Sequence, residues 1–88
     1  MKKNMYAIYD KVAQVFTEPM ILTNDAVAQR ITSNCVNNYE HNYYQNPEDY
    51  ELWKIGTFDD NEGEIVRDRK KIVDAVTLKR HEGADLTQ

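Results

Sequence analysis

The hydrophobic pattern near the start of the chain predicts strands. Met5-Tyr-Ala-Ile-Tyr9 is rich in β-forming residues and ends at Asp10-Lys11, a turn signal. Val12 to Phe16 reads as the returning strand, closed by Pro19. Met20-Ile-Leu22 is a short extended piece leading into Thr23-Asn24-Asp25, side chains that cap helix starts. A helix is predicted over 26–36, where Val27, Ile31 and Cys35 recur at i, i+4 and i+8 with Ala28 alongside. That stripe is the expected buried face.

Residues 39–46 are polar, aromatic and Asn-rich, and Pro47 forces the residue before it out of helical geometry. An irregular connection with at most one helical turn is expected there. Leu52-Trp-Lys-Ile-Gly-Thr-Phe58 is the strongest strand, with Trp53, Ile55 and Thr57 on one face and Leu52, Lys54, Gly56 and Phe58 on the other. Asp59-Asp-Asn-Glu-Gly63 has hairpin-loop length, Gly63 being available for positive φ, and Glu64-Ile-Val66 returns as the partner strand. Beyond Val66 the composition turns basic. Ile72-Val-Asp-Ala-Val76 then suits a short helix or a strand, and both readings stay open. The expected architecture is α+β, a single domain over residues 1–80. Its small antiparallel sheet is built from two β-hairpins with one covering helix, and residues 81–88 form a frayed tail.

Size adds a constraint. A chain of 88 residues buries only about 60–65% of its unfolded surface, so its core is thin. The predicted central strand offers Trp53 and Ile55 on one face and Leu52 and Phe58 on the other. A single helix carrying Ala26, Ala28 and Cys35 covers one of them, so a homodimer is expected to cover the second. The lone Cys35 forms no internal disulfide, which suits a reducing compartment. Met1-Lys-Lys opens like a signal peptide, but no apolar run of seven or more residues follows. Met20-Ile-Leu22 falls far short of the roughly 20 residues that span a bilayer. A soluble cytoplasmic protein, away from the membrane, is expected.

Charge is unevenly spread within the net −4. Glu48, Asp49, Glu51, Asp59, Asp60, Glu62 and Glu64 face only Lys54 over 48–64, whereas Arg67, Arg69, Lys70, Lys71, Lys79 and Arg80 dominate 65–81. The acidic balance argues against tight, charge-driven coating of nucleic acid, and the local basic run keeps a weaker version open.

Catalytic and metal chemistry find no foothold. Read as a calcium loop, Asp59–Gly63 would place Phe58 where the first ligand belongs, so a solvated hairpin turn is the better account. His41 and His81 are far apart, while zinc needs three or four convergent ligands. Cys35 has no base placed to activate it, Ser33 lacks a G-x-S-x-G setting, and the three glycines form no phosphate loop. No catalytic residue, metal or cofactor is expected, and the chain reads as a non-enzyme. Aromatic residues are more suggestive, because unpaired bases stack on exposed rings. Among Tyr39, Tyr43, Tyr44, Tyr50 and Trp53, the last reads as core and the Tyr43-Tyr44 pair as the stacking candidate, although Glu40, Glu48, Asp49 and Glu51 nearby repel phosphate. Arg67, Arg69, Lys70 and Lys71 are the candidate phosphate contacts, with an ordinary solvated face as the alternative.

Three segments carry a family resemblance: Asn4-Met-Tyr-Ala-Ile-Tyr-Asp10, Asn24-Asp-Ala-Val-Ala-Gln-Arg30 and the hairpin from Asn46 to Ile65. The last contains Pro47-Glu-Asp-Tyr50 followed by Ile55-Gly-Thr-Phe-Asp-Asp60. In order and spacing they resemble the small nonstructural proteins of gokushovirus-type phages of the Microviridae, whose genomes are single-stranded DNA. The resemblance spans residues 4–66 and leaves the basic run outside. It implies a nonstructural protein of the host bacterial cytoplasm, labelled as DNA-binding. Its implied role is to divert new single-stranded DNA from replication into packaging. The rival expectation is a protein–protein module acting on the phage replication initiator, the procapsid or a host factor, to which the acidic 48–64 segment is suited.

Overall fold

Strand β1 (Lys2–Asp10) lies at the centre of a five-stranded sheet in a computed structural model that describes residues 1–80. The 81–88 tail, with His81, lies outside the described residues. On one side β1 pairs antiparallel with β4 (Tyr50–Asp59). Its other side is shared by β3 (Met20–Leu22), opposite residues 4–6, and β2 (Val15–Phe16), opposite residues 9–10. Strand β5 (Glu64–Asp74) pairs with β4 and forms the far edge. All pairings are antiparallel, and the α+β reading holds.

Two helices and two 3₁₀ turns complete the described residues. Helix α1 (Asp25–Val36) is capped by Asn24, whose side chain accepts a 2.9 Å hydrogen bond from the Val27 backbone N–H. Helix α2 (Asn42–Gln45) is a single turn within the Asn-rich connection, which the sequence reading allowed. The 3₁₀ turn Pro47–Asp49 opens on the proline, whose missing N–H costs nothing at a helix start. Among the described residues no helix is long and apolar enough to cross a membrane.

The core lies on one face of the sheet, where Tyr6, Ile8 and Leu52 meet Ala28 of α1, flanked by Leu22, Tyr43, Tyr50, Ile72 and Val73. The fully sunk stripe of α1 is Ala28, Thr32 and Val36, one position on from the expected Val27, Ile31 and Cys35, which are only half-buried. Ala28, small and fully buried, lets this part of the helix approach the sheet. The Thr32 hydroxyl donates to the Ala28 carbonyl at 2.9 Å, so its polar group is satisfied inside the core.

A β-bulge changes which side chains share a face. Ile8 pairs with Leu52 and Tyr6 with Lys54, but Met5 pairs with Gly56, leaving Ile55 as the extra residue. Beyond it the alternation is inverted. Thr57 joins the helix side with Leu52, while Gly56 and Phe58 join Trp53, contrary to simple period-two alternation. Trp53 is corrected too: it lies half-buried on the face away from α1, outside the core cluster.

The returning strands also differ from expectation. Residues 11–14 are a turn, with Gln14 at φ 61°, so β2 keeps only Val15–Phe16 of the predicted 12–16. Strand β5 runs eight residues past Val66 and carries the whole basic run, because a charged sequence suits a sheet edge. Ile72 and Val73 finish that strand on the core side, and a 3₁₀ turn, Ala75–Leu78, replaces the alternatives for the rest. Asn37 fastens this end: its Nδ2 donates to the Leu78 carbonyl at 3.0 Å, and its Oδ1 accepts from the Arg80 N–H at 2.7 Å.

Candidate functional site

The sheet face opposite α1 is built by alternation. It collects Met5, Ala7 and Tyr9 from β1, Phe16 from β2, Trp53 and Phe58 from β4, and Ile65, Arg67, Arg69 and Lys71 from β5. The Tyr9 and Phe16 ring centroids are 4.7 Å apart, and Phe16 meets Trp53 edge-on at 5.9 Å. Ala7, the register partner of Trp53, is completely buried at the base of this row. The Arg69 guanidinium lies 6.0 Å from the Trp53 ring centroid, a cation–π distance.

One flank of the row is acidic. The Trp53 indole N–H donates to Glu51 Oε1 at 3.0 Å. Lys71 Nζ sits 2.7 Å from Asp74 and 3.4 Å from Glu51, and the bond to Asp74 raises its ammonium above the ordinary lysine pKa. Arg67 and Arg69 make no such ion pair among the described residues. The charge left open on this face is therefore cationic and belongs to them.

The candidate residues read from sequence divide accordingly. Arg67 and Arg69 share the open face with the rings. Lys71 shares it but is held by its two carboxylates. Lys70 pairs with Lys54 on the helix side. Tyr43 packs on Tyr50 with ring centroids 4.3 Å apart and tilted by 38°, against the core, and burial pushes its hydroxyl above the ordinary tyrosine pKa. Tyr44 lies beneath the Lys79 ammonium, 3.1 Å from its ring centroid, and its carbonyl accepts from that ammonium at 3.2 Å. The Tyr43-Tyr44 pair is thus on the helical side, apart from the arginines. Sequence reasoning missed Tyr9 and Phe16 as partners of Trp53, although Met5-Ala7-Tyr9 alternation was there to be read.

Other chemistry-bearing side chains are occupied locally. His41 caps α2, its Nδ1 accepting from the Tyr43 N–H at 3.2 Å. Partial burial raises the Cys35 thiol pKa, which opposes reactivity. The acidic turn 59–63 closes the β4–β5 hairpin. Gly63 takes φ 66° and donates to the Asp59 carbonyl at 2.8 Å, and the Asp59 carboxylate accepts from the Asn61 N–H at 2.9 Å. That hydrogen bond holds the Asp59 carboxyl below its ordinary pKa. Among the described residues no three His, Cys, Asp or Glu side chains converge as a metal site.

The model of the family described as Phage ORF5 protein matches residues 3–78. The chain belongs to this family. No curated protein and no solved structure matches it. The Phage ORF5 match runs through all of β5 and the following 3₁₀ turn, so it takes in the basic run that the resemblance over 4–66 left outside.

Proposed function

We propose that this Phage ORF5 family member is a non-enzymatic accessory protein that binds single-stranded DNA weakly on its open sheet face. Its setting would be the host bacterial cytoplasm, during genome replication or packaging of a gokushovirus-type phage. One observation carries the reading: Tyr9, Phe16 and Trp53 form a row of rings with Arg67 and Arg69 alongside, on a face that α1 leaves uncovered. Rings accept unstacked bases regardless of sequence, and arginines meet phosphates. The acidic whole-chain balance keeps such binding weak and salt-sensitive. Fluorescence anisotropy with labelled single strands at low and moderate salt tests it, and no binding at micromolar protein and low salt would sink it.

A second reading, a protein–protein module acting on the replication initiator, the procapsid or a host factor, draws on the start of β5. Ile65 and Val66 are exposed there (65% and 44%), beside the acids of the hairpin turn. Pull-down from infected cells with nuclease treatment separates the two. Partners that survive nuclease favour this reading, and partners lost with the DNA favour the first. The expected homodimer competes for the same uncovered face.

A further inference from the structure

The bulge that inverts β4 also makes a hollow in the open face. Where Ile55 is extra and Gly56 has no side chain, the surface sinks between β2 and β5. The hollow is walled by Met5, Phe16, Ile55 and Ile65, has a volume of about 380 Å³, and is flanked by Arg67 and Arg69. Its size falls in the lower part of the roughly 300–1,000 Å³ range of ligand clefts. A Cβ at Gly56 would run into the Val66 carbonyl, so any other residue here forces a backbone shift. Phe16 belongs both to this wall and to the aromatic row, so hollow and row are continuous.

Resting on the single-strand reading above, we infer that this hollow receives one flipped-out base of a DNA strand, while Arg67 and Arg69 hold the adjoining phosphates. Met5, Phe16, Ile55 and Ile65 make most of the wall apolar, so it suits a base's face more than its hydrogen-bonding edge. The cations stand beside it without a carboxylate partner among the described residues, matching the charge of a nucleic-acid backbone and opposing a cationic peptide. The neighbouring base then packs beside Trp53, against the Arg69 guanidinium that lies 6.0 Å from the ring centroid. Of the polar residues that line it, Thr17 already accepts from the Ile8 N–H at 2.9 Å and the arginines serve the phosphates, so the site accepts bases without strong sequence preference.

The test uses the unaltered protein. Fluorescence anisotropy compares a short labelled oligo(dT) with a strand of equal length in which every residue is abasic, so that charge is kept and bases are lost. Binding of the abasic strand is expected to be at least about fivefold weaker, the least that one stacked base contributes. Met5, which lines the hollow, is expected to be oxidised by peroxide more slowly when oligo(dT) is bound. Equal affinity for the two strands would overturn base insertion while leaving single-strand binding in place. Failure of both strands to bind would overturn both readings. Met5 protection that follows protein concentration and ignores oligo(dT) would give the hollow to a second copy, which also overturns the inference.

Discussion

The Tyr6 hydroxyl donates a 2.5 Å hydrogen bond to the Asp25 carboxylate, joining the central strand to the first turn of α1. Tyr6 is fully buried, and Asp25 puts negative charge at the helix N-terminus, where the macrodipole favours it. Burial first, then this hydrogen bond, pushes the Tyr6 pKa from 10.0 up to about 12. The folded state thus keeps a proton that the unfolded chain gives up between those values. The contribution is complete below pH 10.0 and is lost as pH rises through about 12. Tyr6→Phe is expected to cost about 1–3 kcal/mol at neutral pH, the range for a hydrogen bond to a charged group and its stranded partner. It should also flatten the alkaline decline in stability. Urea titrations at neutral and alkaline pH measure both effects, and an unchanged alkaline slope would refute the linkage.

Gly56→Ala should be costly although the change is one methyl group. The added Cβ meets backbone, the Val66 carbonyl, which cannot swing aside as a flexible side chain does. A loss of about 1–3 kcal/mol is expected, typical of overpacking that forces a backbone shift. Gly63→Ala provides the contrast. Its new methyl meets nothing, and the cost comes only from φ 66°, about 1–2 kcal/mol for the left-handed region. Midpoints of urea unfolding for the two variants check these values. A Gly56→Ala protein as stable as wild type would remove the close approach at the bulge.

Neutralising Arg67 and Arg69 together (R67Q/R69Q) should weaken single-strand binding and lower the salt slope by about 1.4, at roughly 0.7 per phosphate contact. Replacing Lys70 and Lys71 (K70Q/K71Q) should do much less, since Lys70 lies on the helix side and Lys71 is tied to Glu51 and Asp74. Anisotropy titrations over a salt series discriminate the two pairs. Equal losses would mean that charge alone, with no regard to sheet face, governs binding.

Trp53 is the sole tryptophan, so its emission reports on the open face directly. Adding oligo(dT) is expected to quench it saturably, with the same midpoint as anisotropy, because a base stacks beside the ring. Trp53→Leu should weaken binding by about fivefold or more while retaining the fold, as checked by circular dichroism. Binding with unchanged tryptophan emission would move the contact elsewhere on the molecule.

Local chemistry made much of this fold legible. The Asn24 cap, the Pro47 break, the Asp59–Gly63 turn and the strands around Ile8 and Leu52 follow from short-range preferences that act whatever the chain packs against. The same preferences announced the basic run and the aromatic residues as types. They did not say which of them meet. Ile55 slips out of register because Gly56 passes close to the Val66 carbonyl of another strand, and that slip carries Phe58 to the side of Trp53. Likewise, the sunk helix stripe is Ala28, Thr32 and Val36 because α1 seats Ala28 against Tyr6, Ile8 and Leu52 of the sheet, a contact that the helical period does not encode. Arg69 stands beside Trp53 with Arg67 on the same face, and Tyr43 does not, because pairing between β4 and β5 aligns residues far apart in sequence. Sequence determined most of the elements, though not the extents of β2 and β5, and the kinds of side chain available. Tertiary packing decided the faces, since the side on which a strand residue lies depends on the register of its neighbours, which no local preference encodes.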